Sequence, residues 1–445
     1  MSKPNAMYRD LTQGSIAKSL ILFSLPMIAG NLLQQFYNIA DTLIVGRVLG
    51  ENALAAVGSA YTLMTFLTSI FLGLSMGSGA LFSICKGRNE SETLRGCIAH
   101  ALVLILGITI LINALVYLCL DGILAFLRVP EEVIPGMRTY LEVIFVGLLA
   151  TSLYNFFACM LRAIGNSAVP LVFLAVSAIL NIGLDLLFVI PFQWGIAGAA
   201  WATVISQYVS GIGLMIFCLL KCKSILPKRG DFRFRRWILK EILKLSSLTC
   251  AQQSVMNFGI LMVQGLVNSF GTTIMAAFAA AVKIDTFAYL PVQDFGNAYS
   301  TFIAQNFGAK NQERIQKGTK TAFALSAAFS LVISAIVFCL AKPLMRILVD
   351  GSATAVIDAG CKYLRIEGAF YVGIGCLFLF YGYFRAIQKP GISVILTVIS
   401  LGTRVALAYL LSAFMGETGI WISIPIGWAL ADAVGWLKMR RAHLN

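Results

Sequence analysis

Long apolar segments recur along the whole chain, separated by short polar stretches. A helix needs about 20 predominantly apolar residues to cross the hydrocarbon core of a bilayer. Strands of a membrane β-barrel would be about ten residues long, with apolar and polar side chains in alternation, a pattern these segments lack. We therefore predict an all-α integral membrane protein with twelve transmembrane helices, at roughly 19–45, 53–83, 97–120, 139–160, 169–190, 198–220, 242–270, 274–304, 321–345, 363–384, 391–414 and 419–437.

A repeat relates the two halves of the chain. GENALAAVGSA (50–60) matches GTTIMAAFAAA (271–281) at an offset of 221, and the segment 140–170 matches 363–393 at an offset of 223. Each half carries six predicted spans, an even number, so both halves enter the membrane from the same side. Two six-helix bundles related by a pseudo-two-fold axis along the membrane normal are expected. The predicted domains are an N-terminal lobe, a basic linker and a C-terminal lobe, at 1–220, 221–240 and 241–445.

Composition and charge agree with a membrane location. Hydrophobic residues make up 59% of the chain and charged residues 12%, whereas soluble domains carry about 25% charged residues. With a cytoplasmic N-terminus, the even loops and both tails, counted with Lys244 at the edge of the seventh span, hold 25 of the 34 Lys and Arg, and the richest stretch is KCKSILPKRGDFRFRRWILK (221–240). This positive-inside pattern predicts a multi-pass protein of the cell (plasma or inner) membrane with both termini cytoplasmic. The net charge of +14 is thus a topology signal, and no nucleic-acid partner is expected.

The first apolar segment contains an aspartate where a membrane-spanning helix usually avoids charge. A charged side chain at the bilayer centre costs about 2.5–3.5 kcal/mol, so Asp41 should face the protein interior or a water-filled cavity. Polar residues spaced i, i+3, i+4 and i+7 put it on one helical face, opposite Leu32, Phe36 and Leu43. We predict that this polar face points inward; its members are Asn31, Gln34, Gln35, Asn38, Asp41 and Thr42. Of these, Gln34 and Asn38 are predicted to lie near the site of Asp41 or in a substrate cavity.

Two later spans supply companions for Asp41. Asn181 and Asp185 are four residues apart in ILNIGLDLLFV, and Thr203 lies in AAWATVISQ. Oxygen ligands suit Na⁺, whereas two carboxylates in a poorly hydrated pocket raise each other's proton affinity. The candidate cation site is therefore Asp41, Asn181, Asp185 and Thr203, for Na⁺ or H⁺. Interhelical hydrogen bonding explains the neutral polar residues equally well, but it does not require a carboxylate.

The repeat makes this candidate site asymmetric. Asp41 corresponds to Met262, Asn181 to Arg404 and Asp185 to Ala408. The second half has intramembrane carboxylates of its own, Asp285 and Glu367. Pairing of Glu367 with Arg404 or Lys283 in a structural ion pair and a role in substrate binding or coupling are both open from the sequence.

Pro26 lies in the middle of the first predicted span, fifteen residues before Asp41. A proline inside a helix removes one backbone hydrogen bond and kinks the helix. Because Pro26 and Asp41 share a helix, occupancy of the cation site could bend it.

These features together resemble the multidrug and toxic compound extrusion (MATE) family, in its prokaryotic branch. The resemblance spans nearly the whole chain and rests on Pro26, Asp41, ADTLIVGRVLGENALAAVG, LRAIGNSAVP and the Asn181–Asp185 pair. It implies export of cationic, amphipathic drugs in exchange for Na⁺ or H⁺, with no other cofactor. It also implies that the N-lobe cation site comprises Asp41, Asn181, Asp185 and Thr203. Further positions implied by the resemblance are Tyr37 and Asn155 near that site, and Glu367 and Asp285 in the C-lobe.

The leading hypothesis is an ion-coupled antiporter that exports small organic cations by alternating access and works in the bilayer as a monomer. A flippase for lipid-linked saccharides is the alternative, because Arg404 and Lys283 would suit a pyrophosphate head group in a cationic cavity. A membrane enzyme is disfavoured, since the sequence shows no Ser/His/Asp or metal-ligand constellation. The chain also lacks the G-x-x-x-x-G-K-[ST] pattern of an ATP-driven motor.

Overall fold

Helices dominate the part of the chain that the computed structural model describes, residues 9–126 and 131–444, without the side chains at 51, 126, 258–261, 443 and 444. The chain ends assigned to the cytoplasm, residues 1–8 and 445, lie outside the described residues. Eight α-helices precede the linker: α1 Ile16–Leu49, α2 Glu51–Gly87, α3 Ser91–Leu118, α4 Leu120–Phe126, α5 Ile134–Ile144, α6 Leu148–Ala163, α7 Ala168–Val189 and α8 Gly195–Lys221. Seven follow it: α9 Arg236–Asn268, α10 Thr272–Gly308, α11 Gln312–Leu348, α12 Thr354–Gly368, α13 Tyr371–Ala386, α14 Pro390–Met415 and α15 Glu417–Leu444.

The number of membrane-crossing elements agrees with the sequence pattern. Ten continuous spans are long and apolar enough to cross a bilayer, one of which is α5 and α6 joined end to end. The pair α12–α13, bent by 52° at its break, provides an eleventh. The 33 residues of α9 reach about 50 Å at 1.5 Å per residue, so α9 is also long enough. The prediction of an all-α membrane protein is confirmed within the described residues, which contain twelve elements long enough for the predicted crossings, eleven of them also apolar enough.

Most helices extend beyond the apolar segments that predicted them. The predicted span 321–345 corresponds to α11, which begins at Gln312 and ends at Leu348. The Asn311 side chain accepts a hydrogen bond of 3.0 Å from the Arg314 backbone N–H, an N-cap that lets the helix begin in a polar stretch. Hydropathy marks only the part of a helix that lipid surrounds, and capping residues determine where the helix begins.

The described residues group into two compact units whose boundaries differ from the predicted domain limits. The first unit comprises the chain up to Asp10 together with Leu25–Cys250, and the second comprises Leu11–Ser24 and the chain from Ala251 onward. Residues 11–24 therefore belong with the second half of the sequence, and α1 contributes to both units. The whole basic linker and the first turns of α9 belong to the first unit.

Hydrogen bonds to Arg314 explain why residues 11–24 group with the second half. The Arg314 guanidinium donates to the backbone carbonyl groups of Leu11 at 3.1 Å, Gln13 at 2.7 Å and Gly14 at 2.8 Å. The Leu11 N–H donates to the Gln305 side chain at 3.2 Å. Because this attachment uses backbone groups, apolar periodicity carries no sign of it.

Glycines bring α2 and α9 together inside the first unit. A Cβ atom added at Gly77 would lie 2.5 Å from Ser246 Cα, and one added at Gly73 would lie 2.5 Å from Cys250 Cα. The hydroxyl groups of Ser78 and Ser246 are 3.0 Å apart and share a hydrogen bond. Small residues four apart are typical of membrane helices whose backbones touch.

Candidate cation-binding site

The structure gathers the four predicted cation-site residues in the first unit. Asn181 and Asp185 are buried on α7, one turn apart and therefore on the same face. The Asn181 Nδ2 donates to the Thr203 hydroxyl on α8 at 3.3 Å. The carboxyl group of Asp41 on α1 interacts directly with that of Asp185. Residues from three helices thus form one cluster.

The buried polar atoms of this cluster that lack a hydrogen-bond partner within the described residues are all acceptors. Asp41 Oδ1, Asn181 Oδ1 and both carboxylate oxygens of Asp185 are buried and have no hydrogen-bond partner within the described residues. A buried acceptor without a partner costs about 1–3 kcal/mol, and two carboxylates in contact do not both ionise readily. A bound cation or a shared proton would remove both penalties, so the donor set fits Na⁺ or H⁺.

Most of the polar face of α1 is turned away from the surface, as its spacing predicts, but Thr42 is exposed and its hydroxyl bonds to the Asn38 carbonyl of the same helix, so the prediction is wrong for Thr42. Gln34, Tyr37 and Asn38 are half-buried, whereas Phe36 on the other side of the helix is 60% exposed. The Tyr37 side chain interacts with the side chain of Gln34 and lies near Asp41. Gln34, Tyr37 and Asn38 are therefore on the same side of α1 as the cluster.

Asn155 and Pro26 are less directly tied to the cluster. The Asn155 side chain donates to the Thr151 carbonyl of its own helix, α6, at 2.9 Å. No hydrogen bond joins Asn155 to the four cluster residues in the described part of the chain. Pro26 lies inside α1, which remains α-helical on both sides of it.

Tyr140 is a neighbour of the cluster that the sequence analysis missed. This buried side chain on α5 interacts with the carboxyl groups of both Asp41 and Asp185. A signal was present in the repeat, because Tyr140 opens the segment YLEVIF and pairs with Tyr363 of YLRIEG at the 223-residue offset. Tyr363 likewise lies beside carboxylates, those of the second unit.

A second acidic cluster lies within the second unit. Asp285 on α10 and Glu367 on α12 are buried and interact with each other and with Arg404 on α14. Tyr371, the first residue of α13, contacts Asp285, so Glu367 and Tyr371 stand on either side of the 52° bend. Lys283, the other candidate partner of Glu367, is exposed. Arg404 is therefore the cation of this cluster.

The two clusters differ in the source of their positive charge. Arg404 occupies the repeat position of Asn181, and it brings a permanent charge to Asp285 and Glu367. The first unit has a neutral amide at that position, beside three carboxyl oxygens of Asp41 and Asp185 that have no donor within the described residues. The cluster of the first unit is therefore the one suited to an exchangeable cation.

Asp432 on α15 is a further buried acidic group that the sequence analysis did not single out, although it falls inside the predicted span 419–437. Its Oδ1 is buried without a hydrogen-bond partner within the described residues. Its Oδ2 lies against α13, 3.7 Å from where a Cβ atom at Gly373 would be. Asp432 is not among the groups that contact Asp285 or Glu367.

Many helices that are long and apolar enough to cross a membrane, an internal duplication and ionisable groups buried within those helices are typical of membrane transporters. The MatE family model matches the chain twice, over residues 26–187 and 248–410. The two matches begin 222 residues apart, in agreement with the repeat read from the sequence. This chain belongs to the MatE family.

Similar proteins cover nearly the whole chain. The "Probable multidrug resistance protein YpnP" of Bacillus subtilis is 32% identical over 433 residues, which are 97% of this chain and 96% of that protein. A solved structure of a MOP superfamily transporter from Pyrococcus furiosus has a TM-score of 0.92 at 24% identity, with 97% of each chain covered. An outward-facing multidrug resistance MATE transporter has a TM-score of 0.92 at 23% identity, covering 100% of this chain and 99% of its own. At these identities the two structures establish the fold.

Proposed function

We propose that this protein is an ion-coupled antiporter that exports cationic, amphipathic molecules from the cytoplasm by alternating access. The name of the Bacillus subtilis relative supports the multidrug substrate class. The observation that carries ion coupling is the set of four buried acceptor oxygens on Asp41, Asn181 and Asp185 that lack any donor. A family of transporters gives no reason to expect an enzymatic reaction.

The coupling ion binds between α1, α7 and α8. For Na⁺, the ligands are the carboxylates of Asp41 and Asp185, the Asn181 carbonyl oxygen and the Thr203 hydroxyl oxygen, a hard-oxygen set. For H⁺, one proton shared between the two carboxyl groups serves the same purpose. Either ion removes the repulsion between the carboxylates and holds α1 against α7.

Release of the ion favours a different arrangement of α1. The two carboxylates then repel each other in a poorly hydrated site, so the free energy of the packed arrangement rises. An ion shifts a conformational equilibrium only by its difference in affinity for the two states. A cluster that is assembled in only one state binds the ion more tightly in that state. Ion binding and release therefore drive alternation between the two states, and this alternation exports the substrate.

Orientation and partners complete the proposal. The positive-inside distribution supports cytoplasmic termini and a basic linker on the cytoplasmic side. The substrates are small organic cations, the only cofactor is the coupling ion, and the working form in the bilayer is a monomer.

Transport of a fluorescent cationic dye from vesicles tests the proposal. Wild type, Asp41→Asn and Asp185→Asn are compared under an imposed Na⁺ gradient and, separately, under an imposed pH gradient. We expect dye export by both variants to fall at least about tenfold under the gradient that drives the wild type. The reason is that loss of one charged ligand weakens ion binding by roughly 1.4 kcal/mol or more, which is a factor of about ten. Export at the wild-type rate by both variants would disprove the cation site.

Two threonines on the site helices provide a matched comparison. Thr203→Val removes a hydroxyl that accepts a hydrogen bond from Asn181, whereas Thr42→Val removes an exposed hydroxyl that bonds only to the Asn38 carbonyl of its own helix. We expect the ion concentration at half-maximal export to rise for Thr203→Val and to stay unchanged for Thr42→Val. Equal effects of the two substitutions would argue against Thr203 as a ligand.

The flippase alternative gains no support from the second unit. A pyrophosphate head group requires several cationic side chains free to bind it, and Arg404 already interacts with Asp285 and Glu367. Of the two cations on which this alternative depends, only Lys283 is exposed. Growth complementation of a strain that lacks a lipid-linked saccharide flippase tests this alternative directly. Complementation would favour the flippase, and its absence together with dye export would favour the antiporter.

A further inference from the structure

An apolar groove lies on the first unit, between α3 and the basic linker. Val103, Gly107 and Leu111 line it along α3, and Phe232, Phe234 and Leu239 line it from the linker and the start of α9. Its volume is about 460 Å³, within the range of about 300–1,000 Å³ typical of ligand pockets. His100 is the one polar side chain among the described residues that line it.

Hydrogen bonds fix the linker against α3 and so give the groove a defined shape. His100 Nε2 accepts the backbone N–H of Arg235 at 3.0 Å, and its Nδ1 lies 2.8 Å from the Gly96 carbonyl oxygen. Only a neutral ring with its proton on Nδ1 satisfies both contacts. His100 therefore acts as a fixed support for the linker and offers no free nitrogen to a ligand.

Ion pairs between α3 and the linker neutralise two acidic groups of this region, Asp231 and Glu92. Arg95 Nε is 3.0 Å from Asp231 Oδ2, and Arg235 is 2.9 Å from Glu92 Oε1. The segment 221–240 contains eight Lys and Arg but only one acidic residue, Asp231. Once Asp231 and Glu92 are paired, a surplus of positive charge remains beside the groove.

The groove opens on the side of α3 that faces lipid. Val103, on a helix apolar enough to cross the membrane, is 60% exposed, and Phe234 of the linker is 72% exposed. The lining residues run from Ala99 to Leu111 on α3, which is about 18 Å at 1.5 Å per residue. One leaflet contributes about half of a hydrocarbon core that is about 30 Å thick. The groove therefore matches the length of one acyl chain in one leaflet.

Two cationic side chains stand beside the groove on α9. Arg236 and Lys240 are both exposed, and they are four residues apart, so they share a helical face. Leu239, which lines the groove, adjoins that face. Neither Arg236 nor Lys240 forms an ion pair with a described residue, so both charges are available to an anion.

We propose that this groove binds an anionic phospholipid, with an acyl chain along α3 and the phosphate group at Arg236 and Lys240. The apolar lining and its length select the acyl chain, and the surplus positive charge selects an anionic over a zwitterionic head group. The site lies outside the candidate cation cluster and does not depend on the proposed transport activity.

Native mass spectrometry of the full-length protein tests this site with phosphatidylglycerol and phosphatidylcholine of identical acyl chains, added in equal amounts. Wild type should retain one phosphatidylglycerol in preference to phosphatidylcholine. Each basic residue near an anionic surface contributes about a fivefold preference, so Arg236→Gln/Lys240→Gln should reduce the preference by roughly twentyfold. Gly107→Leu should abolish retention of that lipid, because a Cβ atom at Gly107 meets no other atom within 4 Å and the added side chain fills the groove.

Matched variants separate this site from general effects. Gly402→Leu introduces the same side chain at another open glycine, and Lys221→Gln/Lys223→Gln removes two exposed charges elsewhere in the linker. Both should bind phosphatidylglycerol as the wild type does. Equal retention of the two lipids by wild type, or retention by Gly107→Leu at the wild-type level, would overturn the proposal. A dimer in the wild-type spectra that Gly107→Leu converts to monomer would show instead that a second copy covers the groove.

Discussion

At the scale of single residues, one repeat position separates the two acidic clusters. Position 181 is an asparagine beside Asp41 and Asp185, and its counterpart, Arg404, interacts with Asp285 and Glu367. Arginine is permanently charged, so Arg404 neutralises its cluster in every state of the protein. Under the proposed function, the first unit takes its positive charge from solution instead.

Arg404→Gln should destabilise the second unit, because Asp285 and Glu367 would remain buried beside each other without a cation. We expect the free energy of unfolding to fall by about 1–3 kcal/mol, seen as a lower melting temperature in detergent. Adding Glu367→Gln to Arg404→Gln should restore part of the loss, since it removes one of the two carboxylates.

Lys389→Gln, which removes an exposed charge near the end of α13, is the control for this series and should melt as the wild type does. An unchanged melting temperature in Arg404→Gln would show that Arg404 is not the cation of this cluster.

Much of the candidate site was predictable from residue type and helical spacing. Asp41, Asn181 and Asp185 were identifiable because a carboxylate in an apolar segment is costly and because i, i+4 spacing puts two side chains on one face. Tyr140 and Asp432 were missed for different reasons. Tyrosine is common in apolar segments, and its burial carries no penalty that would mark it as functional. Asp432 has no polar residue three or four positions away, so no polar helical face marks it in the last predicted span.

At the scale of helices, α2 and α9 meet along a glycine surface that leaves no room for a larger side chain. Gly77→Leu should lower the free energy of unfolding by at least about 3 kcal/mol, because its Cβ atom would lie 2.5 Å from Ser246 Cα. A lower melting temperature and a smaller monodisperse fraction in gel filtration would show this. Gly58→Leu, on the same helix at a glycine with no atom within 4 Å of an added Cβ, should behave as the wild type. Similar melting of the two variants would contradict the close contact.

Asp231 holds the linker against α3, and its contribution should depend on pH. Burial alone would raise the pKa of the Asp231 carboxyl group, but the Lys228 N–H and the Arg95 guanidinium outweigh it and lower the pKa below the ordinary value. A carboxyl group whose pKa is lower in the folded state stabilises that state above its unfolded pKa, and the stabilisation is lost as the pH falls through the folded pKa.

We therefore expect the protection of the linker amides, measured against their intrinsic exchange rates, to be insensitive to this group between about pH 5 and 8 and to fall below about pH 4. Asp231→Asn should lower this protection at neutral pH and approach the wild type below about pH 4, whereas Asp350→Asn, at a carboxylate bonded only to nearby Ser352, should not affect the linker. Linker exchange in Asp231→Asn that equals the wild type at pH 7 would show that the Arg95 contact does not hold this segment.

Helix positions followed from apolar periodicity, but the attachments between helices did not. The linker was predicted as a separate basic segment, yet two side chains of α3 bind it. Arg95 pairs with Asp231 of the linker, and His100 accepts the backbone N–H of Arg235. Residues 11–24 were assigned to the first lobe, yet Arg314 holds the backbone of Leu11, Gln13 and Gly14 in the second unit. Such contacts join residues hundreds of positions apart, and a single sequence contains no local signal for them.

At the scale of the whole molecule, the duplication yields two units with different electrostatics. Both halves match the same family model, and both place a tyrosine at equivalent positions beside carboxylates, Tyr140 and Tyr363. Only the first unit lacks a built-in cation at its cluster. α1 contributes to both units, and the division within it falls between Ser24 and Leu25, next to Pro26.

The permanent guanidinium of Arg404 also bears on the electrical character of transport. If only the first unit exchanges a cation with solution, each cycle carries one coupling ion, and exchange for a monovalent drug moves no net charge across the membrane. We expect dye export from proteoliposomes to be unchanged when a potassium–valinomycin potential is imposed, for a dye with one positive charge. A dye with two positive charges should respond to the same potential by roughly tenfold per 60 mV, about 1.4 kcal/mol. A voltage response of the monovalent dye would indicate a second exchangeable cation. Voltage-independent export of that dye is the result expected if only one of the two duplicated units exchanges an ion.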